Sequence, residues 1–226
     1  SIGLGVRDDV KNSIAGLGSN LIIIQPGARQ TPGSRPEPGS GQSLTYKDAQ
    51  AIAKEVEEVS AVAPFFSLSA QVIAGNQNWI TGITGTTPEY STVRNYSLKE
   101  GSFVTQKDVD TRNRVAVLGP TVSRNLFGEG VSPVGQNIRI LNAPFKVIGL
   151  LESKGQSMGG QDQDDLIIIP LTTAQERLRK VTYLSGIAVQ AASEEQIDQA
   201  MQEMTKVLQR RHKIGGTKKD DFSIMS

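Results

Sequence analysis

The 226-residue chain contains no cysteine, which removes disulfides, thiolate nucleophiles and cysteine-ligated zinc from consideration. It contains one histidine, so any imidazole chemistry rests on His212 alone. Charge of either sign is not in excess: 24 Lys and Arg stand against 23 Asp and Glu. No overall field therefore draws the chain toward nucleic acid or an anionic bilayer, and no nucleic-acid partner is expected. Long apolar runs are missing too. A stretch such as Leu166-Ile-Ile-Ile-Pro-Leu171 falls far short of the roughly twenty residues that a spanning helix needs. The opening residues lack the charged and apolar regions of a signal peptide, and no initiator Met is present, so the chain reads as an excised fragment. No G-x-x-x-x-G-K-[ST] cradle occurs, which excludes ATP hydrolysis by the P-loop route. What remains is still long enough to bury a core without staples, as one large domain or two small ones.

The residues that are present fall into three blocks. Ile2, Val6, Val10, Ile14 and Leu17 repeat at steps of three and four and predict an amphipathic helix ending at Gly18. Leu21 to Ile24 predicts a buried strand, and the four prolines and four glycines between Pro26 and Gly41 predict a mobile loop. Thr45 and Asp48 resemble a capping box ahead of a helix carrying Ile52, Val56 and Val59. Val62 to Ala74 and Trp79 to Thr84 predict a strand pair about Gly75-Asn76. The middle block offers a strand at Val115 to Leu118, a short helix through Leu126 and Phe127, a hairpin from Asn137 to Leu151, a strand at Leu166 to Ile169 and a short helix at Thr172 to Leu178. In the last block come a strand at Ile187 to Val189, a capping box from Ser193 to Gln196, a helix with Ile197, Ala200, Met201, Met204, Val207 and Leu208 on one face, and a strand at Asp221 to Met225. The first block is thus β-α-β-β and the last β-α-β, which together predict an α+β split βαβ layer with the middle block inserted.

The sharpest catalytic motif is Gly155-Gln-Ser-Met-Gly159, which matches the G-x-S-x-G nucleophile elbow, with Asp residues and His212 following in hydrolase order. An elbow needs a helix after its serine, whereas polar residues and then a strand follow Ser157, and no oxyanion motif precedes it. A serine hydrolase using Ser157 is therefore the minor reading. Asp162, Asp164 and Asp165 could offer oxygens to calcium, but Leu166 and Thr173 stand where an EF-hand needs acidic residues, and a solvated acidic loop is the better reading. His212 reads as a surface histidine at a helix C-terminus, and Met201 with Met204 as core residues. No cofactor and no metal is expected.

A resemblance emerges from motifs in a fixed order along nearly the whole chain. They include Val62-Ala-Pro64, Gly101-Ser-Phe103, Val115-Ala-Val-Leu-Gly119, Leu126-Phe-Gly128, Pro133-Val-Gly-Gln136, Pro144-Phe-Lys-Val-Ile-Gly149, Asp162-Gln-Asp-Asp165, Pro170-Leu-Thr-Thr-Ala-Gln175 and Asp220-Asp-Phe-Ser-Ile224. In this respect the chain resembles the periplasmic core domain of MacB-type ABC exporters, permeases related to FtsX-like proteins. The resemblance implies a periplasmic domain of a bacterial inner-membrane protein, set between two membrane helices, and not an enzyme. It implies a porter-like subdomain from residues 1–88 and 186–226 and an inserted, Sabre-like α+β subdomain at 89–185. By the same resemblance, the Ile2 to Leu17 helix would be a stalk, and the domain would couple cytoplasmic ATP hydrolysis to periplasmic movement. Its partners would be a second permease copy, the ATPase domain, a periplasmic adaptor and an outer-membrane exit duct. Lipoprotein-releasing permeases share that architecture and are the alternative. Mobile polar loops often carry binding, so the candidate contact residues are Gln156, Ser157, Met158, Gln161, Asp162, Gln163 and Asp164, with the loop from Pro26 to Gly41 as a second candidate.

Overall fold

The computed structural model describes residues 20–27 and 40–226; the Ile2 to Leu17 stripe and all but the ends of the Pro26 to Gly41 loop lie outside the described residues. Among the described residues, ten strands hydrogen-bond into one sheet. At one end of it, β1 (Leu21–Pro26) lies between β9 (Gly186–Ala191) and β10 (Phe222–Met225), antiparallel to both. The near half of β2 (Val59–Ala74) continues the sheet beyond β9. Helix α1 (Tyr46–Glu55) joins β1 to β2, and helix α5 (Ile197–Arg211) joins β9 to β10. In each case one strand separates the joined pair, so the order β10-β1-β9-β2 is two interlocked split βαβ units.

Local chemistry explains these elements. Thr45 and Asp48 form a complete capping box, each side chain bonded to the other's backbone N–H, which satisfies two of the orphan donors that start α1. Ser193 does not do the same. Its hydroxyl bonds the Gln196 side chain, no side-chain cap forms, and a 3₁₀ turn at Glu194–Gln196 leads into α5 instead. The apolar stripe of α5 behaves as its period predicts: Ala200, Met204, Val207 and Leu208 are buried, and Ile197 and Met201 pack at the margin.

The far half of β2 pairs with β3 (Gln77–Thr86) around Gly75, whose φ of +59° sits at a turn position that glycine enters freely. From β3 the path runs to β8 (Leu166–Pro170), β5 (Val115–Leu118) and β7 (Ala143–Leu151), and a short β4 (Leu98–Gly101) pairs with β7 at the other margin. Strand β6 (Asn137–Ile140) pairs with both β7 and β2, so β2-β3-β8-β5-β7-β6 closes into a six-stranded ring. The β6–β7 turn is made by Leu141 and Asn142, both at positive φ, as a two-residue primed turn requires.

Phe145, Val72, Ile83, Ile140, Ile167 and Ile169 are buried in the main core, while Ile168 and Val117 face a second cluster with Tyr90, Val93 and Val109. Strand β8 is therefore apolar on both faces, the pattern of a fully enclosed strand. The second cluster is roofed by α2 (Tyr90–Val93) and α3 (Gln106–Asp110), and α4 (Pro120–Phe127) sends Val122 and Leu126 into the main core. Ile22, Ile187 and Met204 of the split βαβ layer belong to that same main core. The short helix expected at Thr172 to Leu178 is a π-helical segment, Thr173–Arg179, closed by Lys180 at positive φ.

Candidate functional site

The segment between β7 and β8 is organised by its three aspartates. Asp164 is buried and accepts bonds from the Lys154 N–H at 2.7 Å, the Ser153 hydroxyl at 2.6 Å and the Gly155 N–H at 3.3 Å. Asp162 accepts from the Thr121 hydroxyl of α4 at 2.6 Å and from the Asp164 N–H at 2.9 Å. Asp165 accepts from the Trp79 indole at 2.9 Å and the Thr81 hydroxyl at 2.7 Å, both on β3. The expected solvated acidic loop holds for Asp162, which is exposed, and is corrected for Asp164, which is buried. These carboxylates tie the segment to β3 and α4, because each finds donors that water would otherwise supply. Among the described residues, no cluster of three or more His, Asp or Glu could hold a metal ion.

Above this base the chain folds into a small hairpin in which Gln156 bridges to Asp162 and the Ser157 N–H donates to Gln161 O at 2.7 Å. The Gln163 N–H donates to Gly155 O. Gln156, Met158 and Gln161 are exposed, and Met158 is 75% accessible. The Ser157 hydroxyl accepts from the Gln161 N–H at 3.2 Å, so it caps the turn.

Lys154 fastens the other side of the base. Its ammonium lies 4.3 Å from the centre of the Tyr96 ring and donates to Arg94 O. Burial and the neighbouring Arg94 charge pull its pKa down to about 8, against an opposing pull from Asp164. Burial, with smaller contributions from Tyr90 and Asp164, pushes the Tyr96 hydroxyl well above its ordinary value.

Ser157 and His212 are not brought together. Both imidazole nitrogens are engaged elsewhere: Nδ1 lies 2.6 Å from Asp221 Oδ1, and Nε2 lies 2.9 Å from Asp48 Oδ2. The side chain of His212 is only 9% exposed, so the expected surface histidine is also corrected. Neither Asp48 nor Asp221 was visible as its partner, since Asp48 is 164 residues away in sequence.

The family described as MacB-like periplasmic core domain matches residues 1–207. The chain belongs to that family. Among curated MacB relatives, the macrolide export ATP-binding/permease protein of Rhodospirillum rubrum is 39% identical over 213 residues, covering 94% of this chain and 32% of its own length. The protein of the same name from Hyphomonas neptunium is 38% identical over 224 residues, 99% of this chain and 33% of its own length. The chain therefore spans about a third of the curated relatives it matches. Among solved structures, the periplasmic region of MacB from Actinobacillus actinomycetemcomitans superposes with a TM-score of 0.75 at 25% identity, covering 94% of this chain and 91% of that one. The extracellular domain of the noncanonic ABC-type transporter YknZ from Gram-positive bacteria shares the fold, with a TM-score of 0.72 at 19% identity over 92% and 100% of the two chains. The MacB-like core domain is α+β, as the sequence predicted. No described helix is long and apolar enough to cross a membrane.

Proposed function

We propose that the chain is the extracytoplasmic, force-transmitting domain of an ATP-driven export permease, working as one of two copies. The observation that carries this reading is the placement of β1 and β10. They are antiparallel neighbours with Ile23 opposite Met225, so the start of β1 and the finish of β10 lie at the same end of the layer. Membrane helices joined to those strands would enter and leave side by side, and movement of either would pull directly on the sheet. The main core, shared by the layer and the ring, makes such a pull travel as a body movement, because close-packed interiors transmit strain.

The layer β10-β1-β9-β2 with α1 and α5 is, on this reading, the porter-like subdomain from residues 1–88 and 186–226. Residues 89–185 form the Sabre-like insertion, with the far half of the β2–β3 hairpin completing its ring. The tip with exposed Gln156, Met158 and Gln161 and half-buried Ser157 is the adaptor contact, flanked by Gln163, while Asp162 and Asp164 hold it in shape. The relatives named for macrolide export support an efflux role; an outer-membrane exit duct beyond the adaptor is part of the same proposal.

The test is replacement of residues 156–163 by a Gly-Ser segment of equal length in the full transporter. Loss of adaptor co-purification with basal ATPase activity retained supports the contact; unchanged co-purification and export overturn it.

A further inference from the structure

His212 follows α5 and meets two carboxylates from different parts of the layer. Asp48 is the third residue of α1, and Asp221 immediately precedes β10. We infer that Asp48, His212 and Asp221 form a proton-operated clamp that fastens the entry of β10 to the start of α1, closed when the imidazole carries both protons. This stands apart from the transport reading and needs no partner.

The geometry requires two N–H donors. A protonated ring can donate to Asp221 at 2.6 Å and to Asp48 at 2.9 Å together. A neutral ring has one N–H, and its other nitrogen then turns a lone pair toward a carboxylate oxygen at close range. One arm of the clamp must open, or water must enter.

Among the described residues, further charged and polar groups meet this cluster from the elements packed against it. From α5, Arg211 donates to Asp48 at 2.8 Å, and Arg210 pairs with Glu55 of α1 at 2.7 Å. From the segment after the helix, the Lys218 ammonium donates to the His212 carbonyl at 2.7 Å, and Asp220 accepts from Gln209 at 3.1 Å; Lys213 is the next residue. The Ser43 hydroxyl donates to the Asp221 carbonyl at 2.6 Å, and the Phe222 ring stands edge-on to the imidazole. Histidine is the side chain among these whose ordinary titration falls between about pH 5 and 8.

The sign of the pH effect follows from two opposed shifts. Burial alone would depress His212, but its bonds to Asp221 and Asp48 outweigh burial and hold it above the ordinary 6.5. Its contribution is therefore complete below 6.5 and fades as pH rises through the raised value. Burial alone would raise Asp48, but bonds from Arg211, His212 and the Thr45 N–H hold it below the ordinary 3.8. That contribution is complete above 3.8 and fades as pH falls through the lowered value. The clamp is tightest between those two ordinary values.

Because His212 is the only histidine, its Cε1–H proton gives one resolvable NMR resonance. That resonance should titrate above 6.5, and amide protection in β10 should fall by about tenfold more than protection in β2 and β3 between about pH 6 and pH 9. His212→Gln should abolish the difference. Should that variant not fold, Asp221→Asn serves: with one carboxylate left, the imidazole should titrate lower than in the wild type. Titration at or below 6.5, β10 protection that does not change with pH, or the same fall in the Gln variant would overturn the clamp.

Discussion

Replacing Asp164 tests the account of the candidate site, because its carboxylate is buried and shared by three donors. Two of those bonds are short, at 2.6 and 2.7 Å, and the third is long at 3.3 Å. Hydrogen bonds to a charged acceptor are each worth about 1.5–3 kcal/mol, and unpaired buried donors cost a similar amount. Asp164→Ala removes all three. Water can reach the segment from the exposed Gln156 side, so the lower bound applies to the two short bonds and the long one adds little, giving about 3 kcal/mol. Asp164→Asn keeps one oxygen acceptor and should cost about half as much. Urea unfolding followed by the single tryptophan, Trp79, reads both variants from beside the site, since its indole donates to the adjacent Asp165. A loss under about 0.5 kcal/mol for the alanine variant, or an asparagine variant no better than alanine, would refute the hub.

Other outcomes follow from the same geometry. A Cβ on Gly119 would lie 2.1 Å from the Asp164 carbonyl oxygen, so Gly119→Ala should destabilise the domain by about 2 kcal/mol in urea unfolding through overpacking against backbone. Phe145 is 2% exposed inside the ring, and Phe145→Ala should cost about 3–5 kcal/mol by the same assay. A fluorophosphonate probe should not label Ser157, whose hydroxyl accepts a turn bond and has no imidazole beside it; labelling lost in Ser157→Ala would contradict this.

The fold was legible where its signals are local. The Thr45–Asp48 box, the stripe from Ile197 to Leu208 and the turn at Gly75 each report on neighbouring residues, and each stands in the structure. Closure of the ring was not legible, because it depends on pairing Val72 with Ile140, residues remote in the chain that no period links. The failure at Ser193 has a physical reason as well: its hydroxyl prefers the Gln196 side chain, and the helix starts one turn later. At the site, the motif from Asp162 to Asp165 could be read, but its donors come from β3 and α4. His212 looked exposed beside Arg210, Arg211 and Lys213, yet tertiary packing turned it inward between two carboxylates.

The proposed role requires that this domain move with the nucleotide cycle of the full transporter. The absence of cysteine allows one spin label per copy within the domain, through Ser69→Cys on the exposed face of β2. Electron–electron distance measurements between the two copies in the full transporter should show a shift of roughly 5 Å or more between the nucleotide-free and ATP-trapped states. Identical distance distributions in the two states, in a transporter that still exports, would contradict that role.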